Sequence, residues 1–450
     1  MLFDKGNPYS DGLPIELQLD WSDFECGLSA INDRALGRVA EWAVLAYMAA
    51  DCNLAPYMFD DLKDMKSIGS SENVHVMALF DGPLVTDSFF ARLNANTNLN
   101  DDIILRFEEL QSNDPKTLTM ALQVASKYPA KHRLLLLGGH GKGWAGLLVD
   151  ENTGLRYRKQ PGRLIRPGSE SECNARRRAC LQRVQDRMNS VIDNNTEGQP
   201  PLDILAFDAC YMGSIEAIAQ VMKEADLMVV SEDLMPGEGF AYGNFLTHLV
   251  ENPMQSPFEA VSSIVSSTSR YYQSAGAGQR RLALAAIKSE QLTPFSQALV
   301  RLVQALDIDD PATFAAVRNG LERSWTFGNT GMIDLKGFVL KLLEEPLPSL
   351  AKEAAAKVLE RWSEMVVTFN TRGTADTPNG LSVYAPLPAN FDISYLEASN
   401  HLPLDLGIWA LFLAGYYLKV LGDQAPRNAL VQAMERTMRD LKARGIYKAQ

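Results

Sequence analysis

The sequence predicts an α/β protein built around a mostly parallel sheet. Three observations lead there. Several apolar runs are continuous rather than alternating, as strands covered on both faces require. Segments with helical periodicity lie between them. This alternation of strand and helix implies right-handed crossovers between parallel neighbours. With 450 residues and 46% hydrophobic content, the chain can bury a large core. Length allows one large domain with additions or two to three smaller ones.

The elements follow in order. Residues 1–39 read as an N-terminal extension; their first thirty carry acids throughout and no apolar run, which is no signal peptide. WAVLAYMAA, from Trp42, is the first strand, and VHVMALFD (Val74–Asp81) the second. A helix over Lys116–Lys127 precedes the strand RLLLLGGH (Arg133–His140). A second helix covers Asn174–Ile192, before LDILAFDAC (Leu202–Cys210). A helix over Met212–Glu224 is expected to follow Cys210 directly, before DLMVVSED (Asp226–Asp233). RLALAAIK (Arg281–Lys288) and GLSVYAPL (Gly380–Leu387) read as later strands, with a mostly helical stretch over Gln291–Val367 between them. Residues 391–450 read as a helical C-terminal part, expected to pack on the core. Within it LGIWALFLAGYYL (Leu406–Leu418) is too short to span a bilayer and is closed by Lys419, so it reads as a buried helix. Arg427–Ala443 is a final amphipathic helix. With neither signal peptide nor membrane span in view, the expectation is a soluble, cytoplasmic protein with no membrane partner.

Composition narrows the function. A net charge of -12 argues against a general nucleic-acid binder, which would show a basic face. Five cysteines without CxxC pairs suggest reduced thiols rather than a disulfide framework. The five histidines are scattered and form no HExxH, so no metal cluster is expected. One segment differs: between Arg156 and Arg187 lie ten Lys/Arg against three acids. Its first half, within 151–169, has Gly, Pro and Ser breakers and reads as an exposed basic loop.

The stretch LLLLGGHGKGWAG (Leu134–Gly146) poses the central question. Gly141, Gly143 and Gly146 spell G-x-G-x-x-G after a strand. A dinucleotide fingerprint needs a helix opening at its last glycine and an acid about twenty residues on. Here LLVDENTG follows instead, and the later region holds Arg163 and Arg166. Lys142 precedes glycine, not Ser or Thr, so the P-loop pattern fails as well. The alternative is a turn that presents His140. Cys210, in LAFDACYMGSIEAI, also ends an apolar run. Ligands of open parallel sheets bind beyond the carboxyl ends of the strands, so neighbouring strands would bring His140 and Cys210 together. A thiol at a helix N-terminus beside a histidine would be an activated nucleophile. Gly141 leaves its own N–H open to approach, and with the N–H of Cys210 it could form an oxyanion hole.

These stretches resemble the clostripain family of cysteine peptidases, in the caspase-like fold group. The likeness rests on WAVLAYMAADCNL (Trp42–Leu54), LLLLGGHGKGWAG, DILAFDACYMGSIEA (Asp203–Ala217) and VVSEDLMPGEGFAY (Val229–Tyr242), with GLSVYAP (Gly380–Pro386) like the family's late core strand. It runs through most of residues 40–390. The resemblance implies a caspase-like α/β/α sandwich with additional C-terminal helices. It implies a cysteine endopeptidase with a dyad of His140 and Cys210, cleaving after Arg or Lys. Asp208 matches the acid of the specificity pocket, where a carboxylate selects a cation by a charge-assisted hydrogen bond. Glu232, Asp233 and Glu238 are candidates for a second acid. Clostripain-like enzymes are often zymogens cut between the histidine and cysteine strands, which makes Arg156, Arg158, Lys159, Arg163 and Arg166 candidate processing sites. No cofactor is expected; some members use calcium, but no calcium loop is spelled here. Cys52 stands where a polar residue is commoner, and Tyr211 where leucine is. Many members are exported; an intracellular enzyme of this specificity would be expected to stay latent until cleaved or met by an activating partner protein. Outside the peptidase reading stand a non-catalytic scaffold or regulator and a nucleotide-dependent enzyme.

Overall fold

The computed structural model describes residues 39–84, 87–107, 109–148, 202–274, 282–371, 378–422 and 427–445. The N-terminal extension, the basic loop with its five candidate processing sites, and the expected helix at 174–192 lie outside the described residues.

The strands are β1 (Ala40–Ala49), β2 (Val74–Asp81), β3 (Ser88–Arg92), β4 (Ile103–Phe107), β5 (Ala130–Gly138), β6 (Leu202–Asp208), β7 (Ala225–Ser231), β8 (Ala283–Lys288), β9 (Met332–Asp334), β10 (Val366–Thr371) and β11 (Ser382–Tyr384). Among the described residues nine of them form one sheet, in the order β10-β8-β7-β6-β5-β1-β2-β3-β4. The central five, β7-β6-β5-β1-β2, are parallel. Both flanks are antiparallel: β3 and β4 on one side, β8 and β10 on the other. The expected mostly parallel sheet is present, with antiparallel edges that the apolar runs did not announce.

Between the strands run α1 (Ala55–Ile68), α2 (Pro115–Ala125), α3 (Ile215–Val221), α4 (Tyr242–Glu251), α5 (Pro257–Ser274), α6 (Leu292–Ala305), α7 (Pro311–Arg323), α8 (Leu335–Leu343) and α9 (Ser349–Met365). The C-terminal part supplies α10 (Ser394–Asn400), α11 (Gly407–Leu421) and α12 (Arg427–Ala443). Side chains alternate across a strand, so a doubly covered strand is apolar throughout. On β1, Trp42, Val44, Ala46 and Met48 join one core with Met58, Leu62 and Met65 of α1 and with α4 and α5. Ala43, Leu45 and Tyr47 are equally buried on the opposite face, where α2 packs.

The chain passes from β1 to β2, then returns across β1 to lay down β5, β6 and β7. The order therefore reverses between β1 and β5. Such a reversal splays the connecting loops and opens a crevice at the carboxyl ends of the strands.

GLSVYAPL departs from expectation. Its strand, β11, pairs antiparallel with β9 in a separate two-stranded sheet. A bridge from Ser214 to Ser382 ties it to the region behind β6. Three residues of ladder are too few to extend the main sheet, and the segment braces it from behind instead. α11 is buried on nearly every face. Trp409 Nε1 donates to the Tyr384 carbonyl at 2.9 Å, and the Tyr417 hydroxyl donates to Pro386 O. Among the described residues no helix is long and apolar enough to cross a membrane.

Candidate active site

β5 and β6 run side by side in register, Gly138 opposite Asp208. Two residues beyond each lie His140 and Cys210. The two loops are stitched: the Gly139 N–H donates to the Asp208 carbonyl at 3.2 Å. Gly141 then passes directly over Cys210. A Cβ on Gly141 would meet Cys210 O at 2.2 Å and Cys210 N at 3.1 Å. Only glycine permits that approach, which is a packing reason for the motif's first glycine.

The rest of the motif is a small hairpin, not a phosphate cradle. Gly141 bridges Leu147, Lys142 N–H donates to Gly146 O at 2.9 Å, and Leu148 N–H to His140 O at 2.8 Å. Only a single 3-10 turn, Gly143–Ala145, lies inside it, and no helix opens at Gly146. Trp144 anchors the turn in the core, its ring 5.0 Å from Tyr384 and 5.1 Å from Tyr395.

His140 is held by a residue the sequence reading missed. Its Nε2 lies 2.6 Å from Asn53 Oδ1. An amide oxygen only accepts, so Nε2 carries the proton and Nδ1 keeps its lone pair. Asn53 follows β1, and β1 pairs with β5, so the reversal point supplies the orienting group. Cys52, beside it, is a buried free thiol whose Sγ bonds Ala49 O at 3.5 Å, in keeping with a packing role.

The setting of Cys210 corrects one expectation. No helix starts at Cys210. Residues 209–213 form a tight turn in which Tyr211 takes φ 62°, and α3 begins only at Ile215, capped by Ser214. Gly213 and Ser214 break the apolar pattern that suggested a helix from Met212. The turn is pinned on three sides: Tyr211 N–H donates to Asp233 O, Gly213 N–H to Ser231 O, and Ser382 N–H to Gly213 O. A helix dipole therefore does not act on the thiol. Cys210 Sγ accepts from Met235 N–H at 3.3 Å and donates to Met235 O at 3.8 Å. Burial pushes the thiol pKa up; the Met235 N–H opposes this, and the Asp208 and Asp233 charges reinforce it.

The acids divide between two places. Asp208, 8% exposed, accepts from Phe240 N–H at 3.0 Å and from the Tyr242 hydroxyl at 2.9 Å, both on Oδ2. None of the described residues donates to its Oδ1. Burial pushes its carboxyl up to about 6. Glu238, half-buried on the loop between β7 and α4, belongs to the same acidic neighbourhood: its charge reaches Asp61 of α1 and Tyr272 of α5, which also feels Asp208. Glu232 and Asp233 are turned to structural partners. Fully buried Glu232 accepts from Gly380 N–H, and Asp233 Oδ1 caps Leu234 N–H at 2.8 Å. Asp61 is the second residue that sequence reading missed. It lies on the stripe of Met58, Leu62 and Met65 that α1 turns to the sheet. A carboxylate on a buried stripe was the available signal.

Among the described residues no group of three or more His, Cys, Asp or Glu side chains could hold a metal ion.

Comparison with known proteins fits this geometry. The sequence model of the clostripain family, peptidase C11, matches residues 46–159 and 169–369. Clostripain of Hathewaya histolytica is 27% identical over 229 residues, 44% of this chain and 40% of that protein, so the chain spans well under half the length of this curated relative. Among solved structures, a secreted C11 cysteine protease from Bacteroides thetaiotaomicron, in complex with an irreversible peptide inhibitor, superposes with a TM-score of 0.60. It is 20% identical, over 82% of this chain and 99% of that one. An inactive zymogen C11 protease from Parabacteroides distasonis gives a TM-score of 0.56 at 19% identity, over 83% and 99% of the two chains. These likenesses share the fold; a secreted neighbour lends no support to the cytoplasmic location expected from sequence. The family match covers well over half of the chain, and the chain belongs to the clostripain family.

Proposed function

We propose that the protein is a cysteine endopeptidase that cleaves after Arg or Lys through a dyad of Cys210 and His140. The observation that carries this reading is the seating of the two loops. Strand register and the contact of Gly141 with Cys210 set the imidazole and thiol loops side by side at the carboxyl ends of β5 and β6.

The steps follow from the groups present. Cys210 exchanges its bond to Met235 O for one to the Nδ1 lone pair of His140. Nδ1 takes the thiol proton as Sγ attacks the scissile carbonyl, and Asn53 holds the resulting imidazolium. The N–H groups of Gly141 and Cys210 receive the oxyanion. His140 returns the proton to the leaving amine, and water, deprotonated by the same Nδ1, releases the acyl group. Asp208 takes the cationic side chain, and Glu238 is the better placed of the three candidate second acids.

We infer further that the resting form is latent. The thiol is partly buried, engaged by Met235, and has its pKa raised. Cleavage at Arg156, Arg158, Lys159, Arg163 or Arg166, or a partner protein, would relieve it. The protein from Parabacteroides distasonis, described as an inactive zymogen, shares the fold.

The test is release of a fluorophore from a short peptide ending in Arg, with Cys210→Ala as control. Turnover by wild type alone supports the reading. Equal turnover by both discards Cys210 as nucleophile. Chain cleavage within 156–166, absent from Cys210→Ala, identifies self-processing; silence before trypsin treatment and turnover after it, with the trypsin then inhibited and Cys210→Ala still silent, identifies latency.

A further inference from the structure

We propose that Asp61 is a specificity-determining residue, sharing with Asp208 the recognition of a guanidinium or amidinium group. The proposal rests on the basic-pocket reading above and adds a carboxyl to it from a different element. Asp61 is 7% exposed, yet none of the described residues donates a hydrogen bond to it. A buried carboxyl without donors is costly, and it persists where a ligand supplies them. Its place on α1 faces the strand end that carries Asp208. Met58, one turn earlier, reaches β5: a Cβ on Gly138, the register partner of Asp208, would lie 3.4 Å from Met58 Cε and 3.9 Å from the Tyr242 hydroxyl.

The groups around Asp61 have one sign or none. Asp60 and Asp64 lie on its own helix, Asp208 on β6 and Glu238 on the β7–α4 loop, with the hydroxyls of Tyr242 and Tyr272 on α4 and α5. Among the described residues, the charges that chiefly act on Asp61 are all acidic. Burial, then the charge of Asp208, pushes its carboxyl up to about 10. At neutral pH the two carboxyls therefore hold one proton between them, as like charges in one low-dielectric site must. A cationic side chain would release that proton. A guanidinium has five N–H donors in a planar fork and can bridge two carboxylates; an ammonium acts as a point charge. The pair accordingly favours Arg over Lys.

The experiment is calorimetric titration of the full-length Cys210→Ala protein with benzamidine, and with neutral benzamide. Two buffers of different ionisation heat count the protons. The expected result is release of up to one proton per benzamidine, with little benzamide binding. Adding Asp61→Asn should abolish the proton release and weaken benzamidine about 10-fold or more, as loss of a charge-assisted bond does. The melting temperature should hold or rise, since a buried carboxyl without donors is removed. Should Asp61→Asn not fold, Asp61→Leu gives the same reading. Benzamidine preferred by the parent but unchanged in affinity and proton count by Asp61→Asn would overturn the Asp61 proposal and leave the basic pocket standing. A parent that binds benzamide as well as benzamidine would overturn the basic pocket, and the role of Asp61 with it.

Discussion

Replacing Gly141 by alanine separates catalytic geometry from stability. The added methyl would sit 2.2 Å from Cys210 O, with Cys210 N and Ala209 Cβ each at 3.1 Å. A relaxed C···O contact needs about 3.3 Å, so the histidine loop and the cysteine turn must part by about 1 Å. Neither side yields readily, because the first is tied by Leu147 and Leu148 and the second by Ser231, Asp233 and Ser382. Displacement of about 1 Å in an active site costs roughly 10²-fold, and misplacing an oxyanion donor costs about 10²–10³-fold. The expected loss in kcat/KM on an Arg peptide is therefore about 10²–10³-fold, carried mainly by kcat. Overpacking should destabilise the fold by only about 1–3 kcal/mol, leaving the protein folded at 25 °C. Gly415 in α11 is the control: a Cβ there meets only Ile308 Cδ1, at an ordinary 3.5 Å. Gly415→Ala should keep full activity and gain roughly 0.5–1 kcal/mol of helix stability. Activity of Gly141→Ala within a few fold of wild type, with a lowered melting temperature, would refute the reasoning.

Asn53→Ala should lower kcat about 10–100-fold with little change in KM, forfeiting part of the roughly 10²–10⁴-fold that a positioned base supplies. Asn53→Asp keeps the acceptor and should recover most of the loss; equal damage from both would point to packing instead. Alkylation of Cys210 by iodoacetamide should be slow at pH 7 and rise past the ordinary cysteine range, because burial has raised the thiol pKa. A rate already at its plateau near pH 6 would mean that the thiolate–imidazolium pair exists at rest. Glu232 tests the buried acids. Burial, then the Asp334 charge, holds its carboxyl well above the usual range. Its stabilisation is full below the unfolded carboxyl pKa of about 4.3 and is lost as pH rises through the folded value. Glu232→Gln keeps the acceptor for Gly380 and should raise the melting temperature more at pH 8 than at pH 5; a uniform shift would show that titration is not the cause.

The central strands were legible because burial on both faces makes them apolar end to end. Val74–Asp81 appears with the same limits in sequence and structure. β4 was missed because a short edge strand is covered less fully, and IILRF is half-exposed with no clean period; β3 is buried, but its five residues are bounded by Ser88 and Arg92 and make too short an apolar run. GLSVYAPL read as core because it is buried, but burial does not say which sheet a strand joins. His140 and Cys210 were visible because glycine and strand punctuation mark them. The helix expected at Cys210 was wrong: Gly213 and Ser214 delay it, and the apolar side chains of Tyr211 and Met212 imitate helical spacing. Asn53 carried no local signal, and Asp61 only that of a carboxylate on a buried stripe, since their partners lie 87 residues away, at His140, and 147 residues away, at Asp208. Only the reversal of strand order joins them.

The bracing of the cysteine turn bears on when that turn is set. Glu216, fully buried on α3 just behind that turn, accepts from Tyr384 N–H at 2.8 Å and from the Tyr395 hydroxyl at 2.7 Å. Ser382 holds Gly213 in the same way, and Gly380 holds Glu232. Until residues 380–395 emerge from the ribosome, these acceptors lack their donors and a buried carboxylate has nothing to answer it. A growing or truncated chain can lay down β1 to β7, and the cysteine turn then has its bonds to Ser231 and Asp233 but not the one from Ser382. The final seating of that turn thus waits on translation of residues 380–395.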